Sequence, residues 1–377
     1  MKKAVIAAIS DLSTDMRVRK LALLMAEEGI EVTVIGRRSD YQMPPAVNGI
    51  KSTRIRVPFR KGPAMYLLFN LFLFFRLLFR RYEICVACDL DTLIPCYLVS
   101  ELFGKALIYD SHEYFTGQYG LEERRLKHFL WKSAERLTVP GVKHMITVSN
   151  SIADLYRHEY GVDPIVVRNV APDVSHLVPH ERSELGVAVN ELLLVCQGSG
   201  FNPGRGGEEI IGAMAMTAGV RLLFIGSGDA IDSLYRSAAE SPASDRIIFL
   251  PRMPWEEMMR YTMCCDAGLS TDTDTCTNQR YSLPNKLFDY IAAGIPAVVS
   301  PLPEVSALVE HYGCGTVLEE VTPDAIAREI QRLADDPALL SALRERVLAA
   351  RRELTWEKEK IREQELIRSV IKSKSYK

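Results

Sequence analysis

Short apolar runs alternate along the chain with longer stretches whose apolar residues recur every three or four positions. Lys3–Ile9 is such a run and predicts a first β-strand; Met16–Glu28 follows as a helix, with Leu21, Leu24 and Met25 on one face. Glu31–Gly36 predicts the second strand, and further strands are expected at Ile84–Ala87, Ala106–Tyr109, Met145–Val148 and Ile165–Val167. A second series falls at Leu192–Gln197, Arg221–Ile225, Arg246–Leu250, Ala267–Ser270 and Ala297–Ser300. Nearly continuous apolar strands separated by helices imply parallel sheets covered on both faces. The two series are parted by the polar stretch Arg168–Asn190, which holds Pro172 and Pro179. The fold class expected is therefore α/β, with two Rossmann-like domains: residues 1–175, a linker at 176–190, a second domain at 191–350, and a charged helix and tail at 351–377. Ligands of such sheets bind beyond the carboxyl ends of the strands, so a cleft between the domains is the expected site.

Composition changes this picture only in part. A chain of 377 residues that is 47% apolar and 25% charged is ordinary for a soluble two-domain protein. The net charge of −2 conceals a net of +6 over residues 1–170 and −8 over the remainder. The basic half favours an anionic partner surface. Nucleic acid is not expected, because no basic helix or aromatic RNA-binding motif accompanies the charge. The eight cysteines are scattered, mostly within apolar runs. Cys85-Val-Ala-Cys88 has redox spacing but lies inside a predicted strand, so buried thiols in a reducing cytosol are expected. Asp11 ends the first apolar run too early for a signal peptide. One segment departs from the alternation. Met65–Phe79 is apolar nearly all round a helix and is flanked by Arg60, Lys61, Arg76, Arg80 and Arg81. It is too short for a membrane span, which leaves a helix lying in an anionic membrane surface or one buried against the first sheet.

The chemistry concentrates in the second half. Ser282-Leu-Pro-Asn-Lys-Leu-Phe-Asp289 predicts a loop entering a helix, with Ser282 as N-cap and Pro284 in the first turn. The amides at such a helix mouth attract phosphate, and Lys286 adds a point charge beside them. Asp289, one turn further in, suits sugar hydroxyls. The plainer alternative is a capped helix in a βαβ unit. Upstream, the strand at Leu192 leads into a glycine-rich loop with Gly198, Ser199, Gly204 and Gly206, where Arg205 supplies a planar fork of donors for phosphate. Phe224-Ile-Gly-Ser-Gly-Asp229, with Gly226, follows the next strand, and the loop with Arg252 and Met253 suits backbone contacts to a nucleobase. In the first half, Asp110-Ser-His-Glu113 follows a strand and places His112 at its carboxyl end; Asp11, Asp15, Arg17, Asp89 and Asp91 lie on comparable loops, where helix capping is the alternative role.

In order and spacing, QG…RGGEE, FIGSGD and SLPNKLFDYIAAGIPAVVS resemble the retaining nucleotide-sugar glycosyltransferases of family four, on the two-domain GT-B fold with parallel sheets facing across a cleft. The first half is similar too, through ISDLSTDMRVRKLALLMAEEGIEVTVIGR, ACDLDTL, DSHEY and VSNSIADLY, so the resemblance spans roughly residues 3–350. It implies His112, Arg205 and Lys286 as catalytic. It implies donor contacts from Gly198, Ser199, Gly204, Gly206, Gly226, Arg252 and Met253, then Ser282, Asn285, Leu287 and Asp289. Asp11, Asp15, Arg17, Asp89, Asp91 and Glu113 fall on the acceptor side. Three positions depart from the family pattern: Tyr281 replaces a glutamate near the donor sugar, Pro284 a glycine, and Ser199 one of two basic residues. The activity implied is transfer from a nucleoside diphosphate sugar to a hydroxyl acceptor, such as a lipid-linked carbohydrate, in polysaccharide or glycolipid synthesis. No metal or other cofactor is expected, and the place implied is the cytoplasm, peripheral on the inner membrane face. A nucleotide-sugar epimerase on the same fold is the alternative, distinguished by products formed without acceptor. An impaired scaffolding subunit is another, distinguished by the absence of nucleotide binding.

Overall fold

A computed structural model describes residues 1–10, 15–38, 50–188, 190–198 and 200–373. The chain forms two compact units, Met1–Arg168 together with the C-terminal segment from Glu359, and Asn169–Lys358. Each contains one all-parallel sheet.

In the first unit the strands are β1 (Lys3–Ala7), β2 (Glu31–Arg37), β3 (Ile50–Ile55), β4 (Ile84–Cys88), β5 (Ala106–Asp110), β6 (His144–Thr147) and β7 (Ile165–Val166), in the order β3-β2-β1-β4-β5-β6-β7. β1 pairs in register with β2 on one side (Val5 opposite Thr33) and β4 on the other (Val5 opposite Cys85). The order reverses between β1 and β4, so the loops leaving these strands part and open a crevice at their carboxyl ends. Right-handed crossovers place helices Pro63–Leu78, Leu90–Phe103 and Arg125–Thr138 on one face and Met16–Glu27 on the other. The last helix, Trp356–Ser373, lies beside Met16–Glu27, where Arg368 and Gln364 donate to the Glu28 carboxylate. The segment drawn from sequence as a separate tail thus belongs from Glu359 onward to the first unit. Within the described chain the division falls at Arg168, where Glu359 accepts from both the Arg168 backbone and its guanidinium.

The second unit holds β8 (Leu192–Gly198), β9 (Val220–Gly226), β10 (Ile247–Pro251), β11 (Ala267–Ser270), β12 (Ala297–Val299) and β13 (Gly315–Val317), in the order β10-β9-β8-β11-β12-β13. Its reversal falls between β8 and β11. Leu193, Val195, Val299 and Tyr290 build the core on one side of this sheet; Leu194, Phe224, Leu269 and Ile330 build it on the other.

Two strands escape the apolar pattern. β3, Ile-Lys-Ser-Thr-Arg-Ile, is an edge strand whose charges discourage pairing with another chain. β13 is a three-residue edge. The Pro63–Leu78 helix is buried along one face only. Met65, Phe69, Leu73 and Leu77 are buried at a spacing of four, while Leu67, Leu71, Phe72, Phe75 and Phe79 face solvent. No described helix is long and apolar enough to cross a membrane.

Candidate active site

The crevice of the second sheet is built by the loops after β8 and β11, joined by the start of helix Asn285–Ala293. Gly206 has φ 74°, and a β-carbon there would stand 2.2 Å from the Thr271 carbonyl oxygen, so only glycine brings these two loops so close. The segment after β11 straps the glycine-rich loop further. The Thr273 amide, the Thr273 hydroxyl and Gln279 Nε2 all donate to the Gly204 carbonyl, at 2.9, 2.9 and 3.1 Å. Gly226 plays the matching part beside it: a β-carbon would meet the Gly198 carbonyl oxygen at 1.8 Å.

Arg205 and Lys286 converge on one carboxylate. Arg205 Nη1 is 3.1 Å from Asp272 Oδ1 and Lys286 Nζ is 3.4 Å from Asp272 Oδ2, and the Asp272 side chain is only 2% exposed. Asp272, which sequence reading did not single out, holds two cations side by side at a helix mouth. Such a pair, beside the amides of a helix start, suits a diphosphate.

Ser282 and Pro284 differ from expectation. Ser282 is not the N-cap: it ends the short helix Thr277–Tyr281, its hydroxyl donating to the Gln279 carbonyl, and Pro284 occupies the cap position without a side-chain bond. The Leu287 side chain is core and its amide donates to the Pro284 carbonyl. Asp289 is buried, accepting from Trp255 Nε1 at 3.0 Å and Gln197 Nε2 at 3.1 Å. Asn285 accepts from Asn169 at 2.9 Å. After β10, Arg252 is exposed, while Met253 is half-buried and packs against the core. Ser199 and Asp11 lie outside the described residues.

The first unit carries a second cluster, at the carboxyl ends of β4 and β5. His112 Nε2 stands 2.9 Å from Asp110 Oδ2, its Nδ1 stands 3.3 Å from Asp89 Oδ2, and its amide donates to Asp89 Oδ1 at 2.8 Å. Arg17, also buried, grips Asp110 with its fork at 2.6 Å and donates to the Val167 carbonyl. Burial disfavours the imidazolium, but the Asp89 and Asp110 carboxylates outweigh it and hold the His112 pKa well above its ordinary value. Burial likewise works against ionised Asp110, yet Arg17 and His112 keep it well below the carboxylate range. Asp89 goes the other way: burial pushes it up to about 7 despite His112. Asp89 also has φ 61° and ψ 167°, a backbone region that residues other than glycine rarely adopt. Its backbone is held by its own amide donating to Asp110 O, and its side chain by the His112 amide. Strain of about 1–3 kcal/mol of this kind clusters at functional sites.

The remaining predicted residues of this half serve the fold in part. Asp15 caps helix Met16–Glu27, accepting from the Val18 amide and the Ser10 hydroxyl. Asp91 is buried in the first turn of Leu90–Phe103, and burial raises its pKa well above the ordinary value. Glu113 accepts from Gln118. Cys88, Asp110 and His112 place three ligand atoms within 4.8 Å of one another. A metal cation there would sit against Arg17 and a charged His112; Asp110 and His112 are already ion-paired, while Cys88 is a buried thiol whose pKa burial pushes up. All eight cysteines are free thiols.

Residues 15–170 match the model of Glycosyltransferase Family 4, and residues 183–350 that of Glycosyl transferases group 1. No curated protein matches the chain in sequence. Among solved structures, sucrose-phosphate synthase from Thermosynechococcus elongatus superposes with a TM-score of 0.82 at 17% identity, over 99% of this chain and 100% of that one. HepE from Anabaena in complex with UDP-glucose gives 0.75 at 14%, covering both chains completely. WaaG, a glycosyltransferase involved in lipopolysaccharide biosynthesis, gives 0.74 at 16%, over 95% of this chain and 99% of that one. With the two models matched in order over most of its length, and the same two parallel-sheet units as these enzymes, the chain belongs to the family 4-type glycosyltransferases of the GT-B fold.

Proposed function

We propose that this glycosyltransferase moves a sugar from a nucleoside diphosphate donor to a hydroxyl acceptor with retention at the anomeric carbon, and that it needs no metal. The convergence of Arg205 and Lys286 at the mouth of helix Asn285–Ala293 carries this reading. It supplies in fixed protein charge what a divalent cation would otherwise supply to a leaving diphosphate. The UDP and UDP-glucose complexes of HepE support a donor of this class.

In the step proposed, the bond from the anomeric carbon to the diphosphate oxygen breaks as the acceptor oxygen bonds to that carbon on the same face. The acceptor proton passes to the departing phosphate oxygen. An imidazole held protonated between two carboxylates is a poor base, so His112 serves as a fixed positive charge and not as proton acceptor. A lipid-linked carbohydrate acceptor in polysaccharide or glycolipid synthesis, met at the inner membrane face, fits the basic first half of the chain.

Calorimetric titration with UDP, GDP, ADP and dTDP in chelator tests the donor site. One nucleotide is expected to bind, and Arg205→Ala or Lys286→Ala should each weaken it about tenfold or more, the worth of one charge-assisted contact. Wild-type affinity in both variants would remove the clamp. Binding by no nucleotide would favour the scaffolding alternative, and sugar epimerised without acceptor the epimerase.

A further inference from the structure

Beside the edge strand β3 the Pro63–Leu78 helix leaves an open groove of about 700 Å³. Arg54 lines it from the strand and Arg56 from just beyond it, Phe75 and Arg76 from the last turn of the helix, and Phe79 and Arg80 from the turn that follows, where Arg80 also donates to the Thr33 hydroxyl at 2.8 Å. Among the described residues no acidic side chain lines it. Four guanidinium groups around one concavity match the oxygens of a phosphate, which the planar fork binds better than an ammonium does. The aromatic side does not close over the groove. Phe79 is 82% exposed, and Leu67, Leu71 and Phe75 continue away from it along one helix face at a spacing of four. An apolar stripe ending in arginines is the pattern of a helix lying in a bilayer interface, with its cations at headgroup depth.

We infer that this groove is a phospholipid headgroup site, and that the first unit docks through it on an anionic bilayer, the phosphate against Arg54, Arg56, Arg76 and Arg80 and the acyl chains against the exposed stripe. The inference deepens the peripheral membrane placement proposed above by naming the partner's chemistry. It does not depend on sugar transfer: nucleotide binding by the second unit tests the donor reading separately.

Co-sedimentation with phosphatidylcholine vesicles, with and without phosphatidylglycerol, provides the test. The full chain is expected to pellet with the anionic vesicles and to stay largely in solution with phosphatidylcholine alone. Arg54→Gln with Arg56→Gln, at the end of the strand and outside the apolar stripe, should weaken sedimentation about twenty-five-fold, at about fivefold for each basic residue near an anionic surface. Phe75→Ser with Phe79→Ser should abolish it, and unchanged thermal unfolding checks that both variants fold. Wild-type sedimentation by the double arginine variant, or equal binding to both vesicle types, overturns the headgroup site. A chain that ignores vesicles but binds inorganic phosphate, losing it in the arginine variant, overturns the bilayer in favour of a soluble anion. Self-association by light scattering that Phe79→Ser removes, without vesicle binding, overturns it in favour of a second copy of the chain.

Discussion

One buried carboxylate, Asp272, sets the local charge balance at the mouth of helix Asn285–Ala293. Arg205 and Lys286 would repel each other at the helix mouth, and the buried Asp272 between them offsets that repulsion. Removing its charge leaves two cations with no common counter-ion until a diphosphate arrives. Asp272→Asn is therefore expected to lower the stability of the ligand-free protein by about 1–3 kcal/mol and to enlarge the stabilisation by the bound nucleotide. Thermal unfolding with and without nucleotide reads both effects. A smaller nucleotide shift in the variant would mean that Asp272 matters for aiming the cations more than for neutralising them. Neither Asp272 nor its role was legible in the sequence: Thr271-Asp-Thr-Asp-Thr275 offers two equivalent-looking aspartates, and only the reversal between β8 and β11 brings the first of them to Arg205. Arg205 and Lys286 were legible, because a glycine-rich loop after a strand and a lysine at a helix start state their chemistry locally. Asp289 was placed correctly on its helix, while its bonds from Trp255 and Gln197 come from elements 34 and 92 residues away.

Among the elements, the last helix is the one whose position changes the chemistry of another part of the fold. Glu363 on Trp356–Ser373 is 3% exposed, and burial raises its pKa to about 7, with Asp110 adding to the rise and Arg17, Lys20 and His112 opposing it. A carboxyl whose folded pKa lies above its unfolded value of about 4.3 favours folding at low pH. That contribution is complete below about 4.3 and is lost as pH rises through about 7. Glu363→Gln should accordingly match the wild type near pH 4 and exceed it in stability by on the order of 3 kcal/mol above pH 7. Parallel denaturant titrations at the two pH values decide this; a variant weaker at high pH would show Glu363 to be a net favourable ion-pair partner. The helix Arg125–Thr138 makes a related point about faces. Leu126, Phe129, Leu130 and Leu137 are exposed, while buried Glu135 accepts from Lys132, Thr116 and Tyr160. An apolar stripe at helical spacing predicts a helix, but the polar network beneath this one turned the stripe outward.

At the scale of the whole molecule, the chain leaves its first unit at Arg168 and returns to it at Glu359, so the C-terminal helix packs beside the helix Met16–Glu27, more than three hundred residues earlier. Glu359 pairs with Arg168 at 2.8 Å, and Ile367 and Val370 are fully buried in the first unit. A chain ending at Lys358 should lose about 4 kcal/mol or more from the first unit, as expected for two buried aliphatic side chains and an ion pair. Its second unit should still bind nucleotide. Calorimetric unfolding combined with nucleotide titration separates the two, and loss of nucleotide binding would show that the second unit needs the helix as well. By itself the sequence determined that the chain is α/β, where most strands run, and which loops combine glycines with basic residues, because apolar periodicity, glycine positions and helix-start residues act over a few neighbours. Tertiary structure alone decided the β3 and β13 edges, the return of the last helix, the meeting of Arg205 and Lys286 on Asp272, and the ion pairs that charge His112. Strand order and burial set these, and both depend on contacts between residues far apart in the chain.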